Sequence, residues 1–222
     1  MKRIEEYAKK LAHLGLRLWM MAFHRFEPRG RIKLDRPSLI VANHASHLDI
    51  AAIFCALPLD QVTKVRTAAA KDVIFELPPV PLALVKFLFN VFPFERKNGS
   101  GDSLDACERN LRDGYHVVIF PEGRRSADGA FLGFTPGFAK VAYRTGAPVV
   151  PMRLEGTERA LKRGTVVPVS YPVETVAAEP IETESMRDVP YEQRREAYAA
   201  LVGEAERRVG TVTAAREPAC EY

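Results

Sequence analysis

Residues able to do chemistry gather in two short stretches. One is Asn43-His44-Ala45-Ser46-His47-Leu48-Asp49, directly after the apolar run Leu39-Ile40-Val41-Ala42. The other is Pro121-Glu122-Gly123-Arg124-Arg125-Ser126, directly after Tyr115-His116-Val117-Val118-Ile119-Phe120. Both apolar runs read as buried strands, and in open α/β sheets ligands collect where strands end and loops begin. His44 and Asp49 stand five positions apart. A histidine on the loop and a carboxylate in the first turn of the next helix can therefore turn toward each other. A carboxylate that accepts the Nδ1 proton fixes the tautomer that leaves Nε2 free as a base, and it stabilises the imidazolium that follows. Two plainer readings stand beside this one. Asn43 or Asp49 caps the helix while His44 fills a polar notch, or His44, His47 and Asp49 ligate zinc, although no second ligand cluster follows downstream.

In the second stretch, the guanidinium forks of Arg124 and Arg125 match phosphate oxygens in shape and charge, and Gly123 permits a tight turn beside Glu122. Between the two stretches, Phe92-Pro93-Phe94-Glu95-Arg96-Lys97 closes an apolar run with another basic pair. Taken singly, these arginines also read as solvated charges or as partners of Glu95 and Glu122.

Positioning these groups is the work of alternating elements. The pattern predicts helices over 48–57, Leu77–Phe94, 102–114, 136–145 and around Tyr198–Val209. It predicts strands over 39–42, 61–70, 115–120, 147–154, Val166–Val173 and Val176–Ile181. Alternation of this kind implies an α/β single domain with a mixed, largely buried β-sheet flanked by helices. The chain has 222 residues, 47% of them apolar, enough for one core without disulfides. Cys55, Cys107 and Cys220 are an odd number without CxxC spacing, which points away from a disulfide framework and toward a reducing cytoplasm. No stretch reaches about eighteen consecutive apolar residues, and no signal peptide is evident, so neither export nor membrane spanning is expected.

Residues 1–26 carry six basic side chains, Lys2, Arg3, Lys9, Lys10, Arg17 and Arg25, against Glu5 and Glu6. Ile4, Leu11, Leu14, Leu18, Met20 and Met21 recur at helical spacing with Trp19 among them. This is a basic amphipathic helix, suited either to an anionic bilayer or to packing its stripe on the domain. The domain proper is expected over 27–210, followed by a disordered tail over 211–222.

In order and spacing, the segments NHASHLD, FPFER, FPEGRRS and APVVPM resemble the glycerolipid acyltransferase family typified by 1-acylglycerol-3-phosphate acyltransferases. The resemblance covers roughly residues 25–185, and the NHxxxxD and FPEG motifs are specific to it. It implies that His44 deprotonates an acceptor hydroxyl with Asp49 as its orienting partner, and that Arg96 and Arg125 bind the acceptor's phosphate. Glu122 and Gly123 would shape that site, and Val149-Val150-Pro151 would be a supporting strand. It further implies an acyl-CoA or acyl-carrier-protein thioester as donor, a lysophospholipid acceptor and a peripheral position on the inner face of an anionic membrane. No cofactor, metal or nucleic-acid partner is expected. Two departures bear on the acceptor: Arg124 replaces a threonine, and Asn90 replaces a glycine. The Leu82–Phe94 stretch is the local candidate for an acyl-chain groove.

Overall fold

A computed structural model of the chain describes residues 2–30, 32–75, 78–95, 101–126 and 129–214. The chain opens with α1 (Lys2–His24) and a short strand β1 (Glu27–Arg29), then β2 (Leu39–Ala42), α2 (Leu48–Ala56) and β3 (Val65–Ala70). Next come a single turn α3 (Lys71–Ile74), α4 (Pro79–Phe89), β4 (Val91–Phe94), α5 (Gly101–Arg112) and β5 (His116–Ile119). The last part holds α6 (Gly137–Thr145), β6 (Val149–Glu155), α7 (Thr157–Ala160), β7 (Glu174–Ala177), two short 3-10 turns and α8 (Arg194–Ala214).

Among the described residues, seven strands form one sheet in the order β1-β7-β6-β2-β5-β3-β4. From β4 to β6 the neighbours are parallel, whereas β7 runs antiparallel to β6 and parallel to β1. The sheet is therefore mixed, as expected, with β2 near its centre. Successive side chains of β2 alternate between faces. Ile40 and Ala42 join a core with α2 and residues of α1 and α4, while Leu39 and Val41 join a second core with α5, α6 and α8. Each core has a fully buried phenylalanine at its centre, Phe54 and Phe138. Each such side chain contributes about 1.5–3 kcal/mol by leaving water. Two covered faces hold the parallel strand ends rigidly, and the loops beyond β2 and β5 inherit that rigidity. Among the described residues, no helix is long and apolar enough to cross a membrane.

Some expectations need correction. Of the Leu77–Phe94 stretch, the described residues form two elements: α4 ends at Phe89, Asn90 takes the left-handed conformation (φ 48°, ψ 42°), and β4 follows. That backbone region is glycine's, and asparagine is the side chain that best tolerates it, so Asn90 replaces glycine for a backbone reason. Its side chain donates to the carbonyls of Val62 and Val65 and accepts from Lys9 Nζ at 2.6 Å. The run Val166–Val173 is not a strand; Pro168 and Pro172 withhold ladder donors, and the segment forms a surface loop. Strand β1 is not among the expected strands, and α8 continues through Ala214 into the stretch assigned to a tail. Residues 215–222 and Arg96 lie outside the described residues.

Helix α1 packs on the domain through a mixed face and turns most of its apolar side chains outward. Lys9, His13, Met20 and His24 are buried against the domain, whereas Ile4, Tyr7, Leu11, Leu18 and Met21 are each more than half exposed. The inward side chains donate to fixed acceptors: His13 Nε2 to Leu88 O at 2.8 Å, Arg17 to Leu57 O, and His24 Nδ1 to Tyr171 O at 3.2 Å. The apolar stripe therefore divides: Met20 packs into the core, while Ile4, Leu11, Leu18 and Met21 face outward.

Candidate active site

Strand β2 delivers His44 just beyond the sheet, and the first turn of α2 returns Asp49 to it. His44 Nδ1 donates to Asp49 Oδ2 at 2.8 Å. The same oxygen accepts the backbone N–H of Ala45 at 2.7 Å and of Ser46 at 2.8 Å. Asp49 is fully buried, while the His44 side chain keeps 22% of its surface open. A base with its Nδ1 fixed and its far edge accessible is thus built from one loop and one helix turn.

The capping reading has a different outcome for each residue. His47 is the N-cap of α2 and makes no side-chain cap bond. Ser46 takes the local capping role, its hydroxyl accepting Leu48 N–H at 3.2 Å and donating to Leu161 O at 2.8 Å. Asn43 bolts the loop to β6, with Nδ2 donating to Leu154 O and Oδ1 accepting Leu154 N–H. The strand carrying Val149-Val150-Pro151 therefore does support the site, through β2 and through Asn43.

The loop after β5 holds His44 by its backbone. Glu122 Oε1 accepts His44 N–H at 2.9 Å, Oε2 accepts Leu132 N–H at 3.2 Å, and Ser126 N–H donates to His44 O at 2.9 Å. The His44 ring stacks on Phe120 with centroids 4.2 Å apart. Burial pushes the Glu122 carboxyl above its usual range, and the N–H groups of His44 and Leu132 pull it back. Glu122 thus braces the histidine. Gly123 has φ +70°, and a Cβ there would meet nothing within 4 Å, so its glycine answers to backbone conformation rather than space.

Arg125 is half-buried and Arg124 is exposed. Burial lowers the His47 pKa, and the charges of Arg125 and His44 add to the effect. A cleft of about 290 Å³ opens beside His44, lined by Ala68, Ala70, Phe94, Ile119, Phe120, Thr135 and Phe138. Of the expected groove residues, Phe94 reaches it. A larger hollow of about 560 Å³ lies at the outer margin of the sheet, where Arg25, Arg153 and Arg159 mix with Glu27, Glu155, Glu158 and Glu174. His44 lines the smaller cleft and not this hollow, whose charges are mixed. Among the described residues, no three His, Cys, Asp or Glu side chains gather as a metal site requires.

The roles of Asn43, Phe120 and Ser46 went unread in the sequence. Their only signal is position: polar or aromatic residues at the ends of buried strands, where the backbone must change direction.

A parallel-sheet edge presenting a carboxylate-oriented histidine beside an apolar cleft has the layout of a general-base transferase or hydrolase. Residues 24–155 match the family model described as Acyltransferase, and the chain belongs to the acyltransferase family. It is 32% identical over 170 residues to the chloroplastic 1-acyl-sn-glycerol-3-phosphate acyltransferase BAT2 of Brassica napus, covering 72% of this chain and 47% of that protein. It is 34% identical over 133 residues to the human 1-acyl-sn-glycerol-3-phosphate acyltransferase beta, covering 58% of this chain and 45% of that one. The chain spans about half the length of these relatives. In fold it is similar to the crystal structure of the 1-acyl-sn-glycerophosphate acyltransferase PlsC from Thermotoga maritima, with TM-score 0.63 and 24% identity over 90% of this chain and 80% of that one.

Proposed function

We propose that the chain moves a fatty acyl group from a coenzyme A or acyl-carrier-protein thioester to the hydroxyl of a lysophospholipid. The first candidate acceptor is 1-acylglycerol-3-phosphate, giving phosphatidic acid, and the reaction runs on the inner, cytoplasmic face of an anionic membrane. The observation that carries the reading is the His44–Asp49 pair at the mouth of an apolar cleft. His44 Nε2 takes the acceptor's hydroxyl proton as the oxygen attacks the thioester carbonyl. The tetrahedral intermediate then expels the thiolate, which takes the proton back from the imidazolium. The thioester arrives activated, so the reaction needs no cofactor. Base help of this kind is worth about a hundredfold to ten-thousandfold, and orientation of both substrates supplies the rest.

Arg125, with Arg96, is the proposed phosphate ligand, and Arg124 adds charge at the rim. The membrane part of the reading is supported by the outward apolar face of α1, by the exposed Val80 and Leu84 of α4, and by the exposed Arg3 of α1.

Mass-spectrometric product identification with mixed acyl donors and a panel of lysolipids tests this directly. His44→Ala is expected to abolish transfer with the fold retained, and Arg125→Ala to raise the KM for phosphorylated acceptors. Free fatty acid as the product, regardless of lysolipid, would replace the transferase by a thioesterase.

A further inference from the structure

The loop of residues 161–173 runs from α7 to β7 and contains Lys162 and Arg163 but no acidic side chain. Val166 is 90% exposed, Val167 72% and Val169 54%, beside the stiffening Pro168. Three β-branched side chains in water on a loop with no partner strand are an unfavourable arrangement for a fold optimised alone. The loop is also not free to wander. At its start, Leu161 O accepts the hydroxyl of Ser46, on the catalytic loop, at 2.8 Å. Toward its end, Ser170 Oγ donates to Phe23 O at 2.7 Å and Val173 N–H to His24 O at 3.0 Å, both on the last turn of α1. There Trp19 and Phe23 stack with centroids 5.6 Å apart and remain more than a third exposed. The loop thus adjoins the aromatic end of the outward face of α1 at Ser170.

We infer that the 162–169 loop is a second membrane-contact element, inserting Val166 and Val167 into an anionic lipid surface while Lys162 and Arg163 meet its head groups. The inference rests on the membrane reading of α1 and extends it to the active-site side of the molecule. Three observations favour a bilayer as the occupant: an uninterrupted positive charge on the loop, continuity with the apolar face of α1 through Ser170, and a Trp–Phe pair of the kind that settles at lipid interfaces. Two points of contact, one on α1 and one tied to Ser46, fix the orientation of the domain. They bring the lipid surface up to the catalytic loop, where a lysolipid acceptor must leave the bilayer to reach His44.

The test uses the full chain with Cys220→Ser and a single added cysteine, Val166→Cys or Leu11→Cys, carrying an environment-sensitive fluorophore. Cys55 and Cys107 are buried, with burial pushing each thiol up to about 12, and do not compete for the label. With phosphatidylcholine vesicles containing phosphatidylglycerol, both labels are expected to shift their emission to the blue. A Val166→Asp/Val167→Asp double variant is expected to lose vesicle affinity by about tenfold or more, given the apolar area removed from the contact. A shift at position 11 with none at position 166 would overturn the loop assignment while leaving α1 as the membrane element. Silence at both positions would overturn both. A response at position 166 to an acyl-carrier protein, but not to vesicles, would make the loop a protein-docking site and also overturn the inference.

Discussion

Three donors converge on one oxygen of Asp49, and the backbone of the histidine they position is clamped from the other side by Glu122 and Ser126. The pair was legible in the sequence because both partners sit within one short segment, so a single strand-to-helix turn must bring them near. The brace was not, because Glu122 and His44 are 78 residues apart in sequence, and the contact involves the histidine's backbone rather than its side chain. The family resemblance set Glu122 among acceptor-site groups; its geometry assigns it to holding His44 in register. Glu122→Gln keeps the shape but weakens the hydrogen bonds of a charged acceptor, so kcat should fall by about tenfold to a hundredfold. The KM for the lysolipid should barely change. Steady-state kinetics over acceptor concentration distinguish the two roles, and a change confined to KM would return Glu122 to the acceptor site.

At the scale of elements, the sequence showed α1 to be a helix but not which side faces the domain. Its buried side carries Lys9, His13, Arg17 and His24, residue types that periodicity assigns to water, and they are tolerated inside because each finds a fixed acceptor. Asn90 is the hub of one such contact, joining α1 to the end of α4 and the approach to β3. The substitution that looked like a change in acceptor selectivity is a structural tie. Asn90→Gly preserves the left-handed backbone but leaves the Lys9 ammonium without its partner and two carbonyls without their donor. A loss of about 2–4 kcal/mol follows from those hydrogen bonds, measurable as a lower urea midpoint, with acceptor preference unaltered. A shifted acceptor profile at unchanged stability would restore the selectivity reading. The valine-rich loop misled for the opposite reason: its residue types favour a strand, but prolines and the lack of a neighbouring edge left it as a loop, a matter of tertiary context that no local pattern carries.

Across the whole molecule, stability at acid pH is governed by histidines held neutral inside the fold. Burial lowers the pKa of His13, His24 and His116, the last from 6.5 to about 4. A folded-state pKa below the unfolded one means that the unfolded chain binds protons first as pH drops. The contribution is therefore complete above 6.5 and is lost as pH falls toward the folded value. Glu122 works in the other direction, since its raised pKa adds stability only at low pH and loses it as pH rises through the folded value. Glu122 does not offset these imidazoles, so the net slope between pH 6.5 and 4 should be toward unfolding. His116 alone accounts for about 3 kcal/mol of it at one pKa unit per 1.36 kcal/mol. His13 and His24 hold α1 from its inward face, so the same acid range should weaken the docking of the helix proposed to meet the membrane. His116 also has a buried Nδ1 with no hydrogen-bond partner, so its ring can give way to an apolar one at modest cost. His116→Phe should flatten the fall of Tm between pH 6.5 and 4 relative to the parent chain. An unchanged slope in that variant would show that the acid sensitivity arises elsewhere.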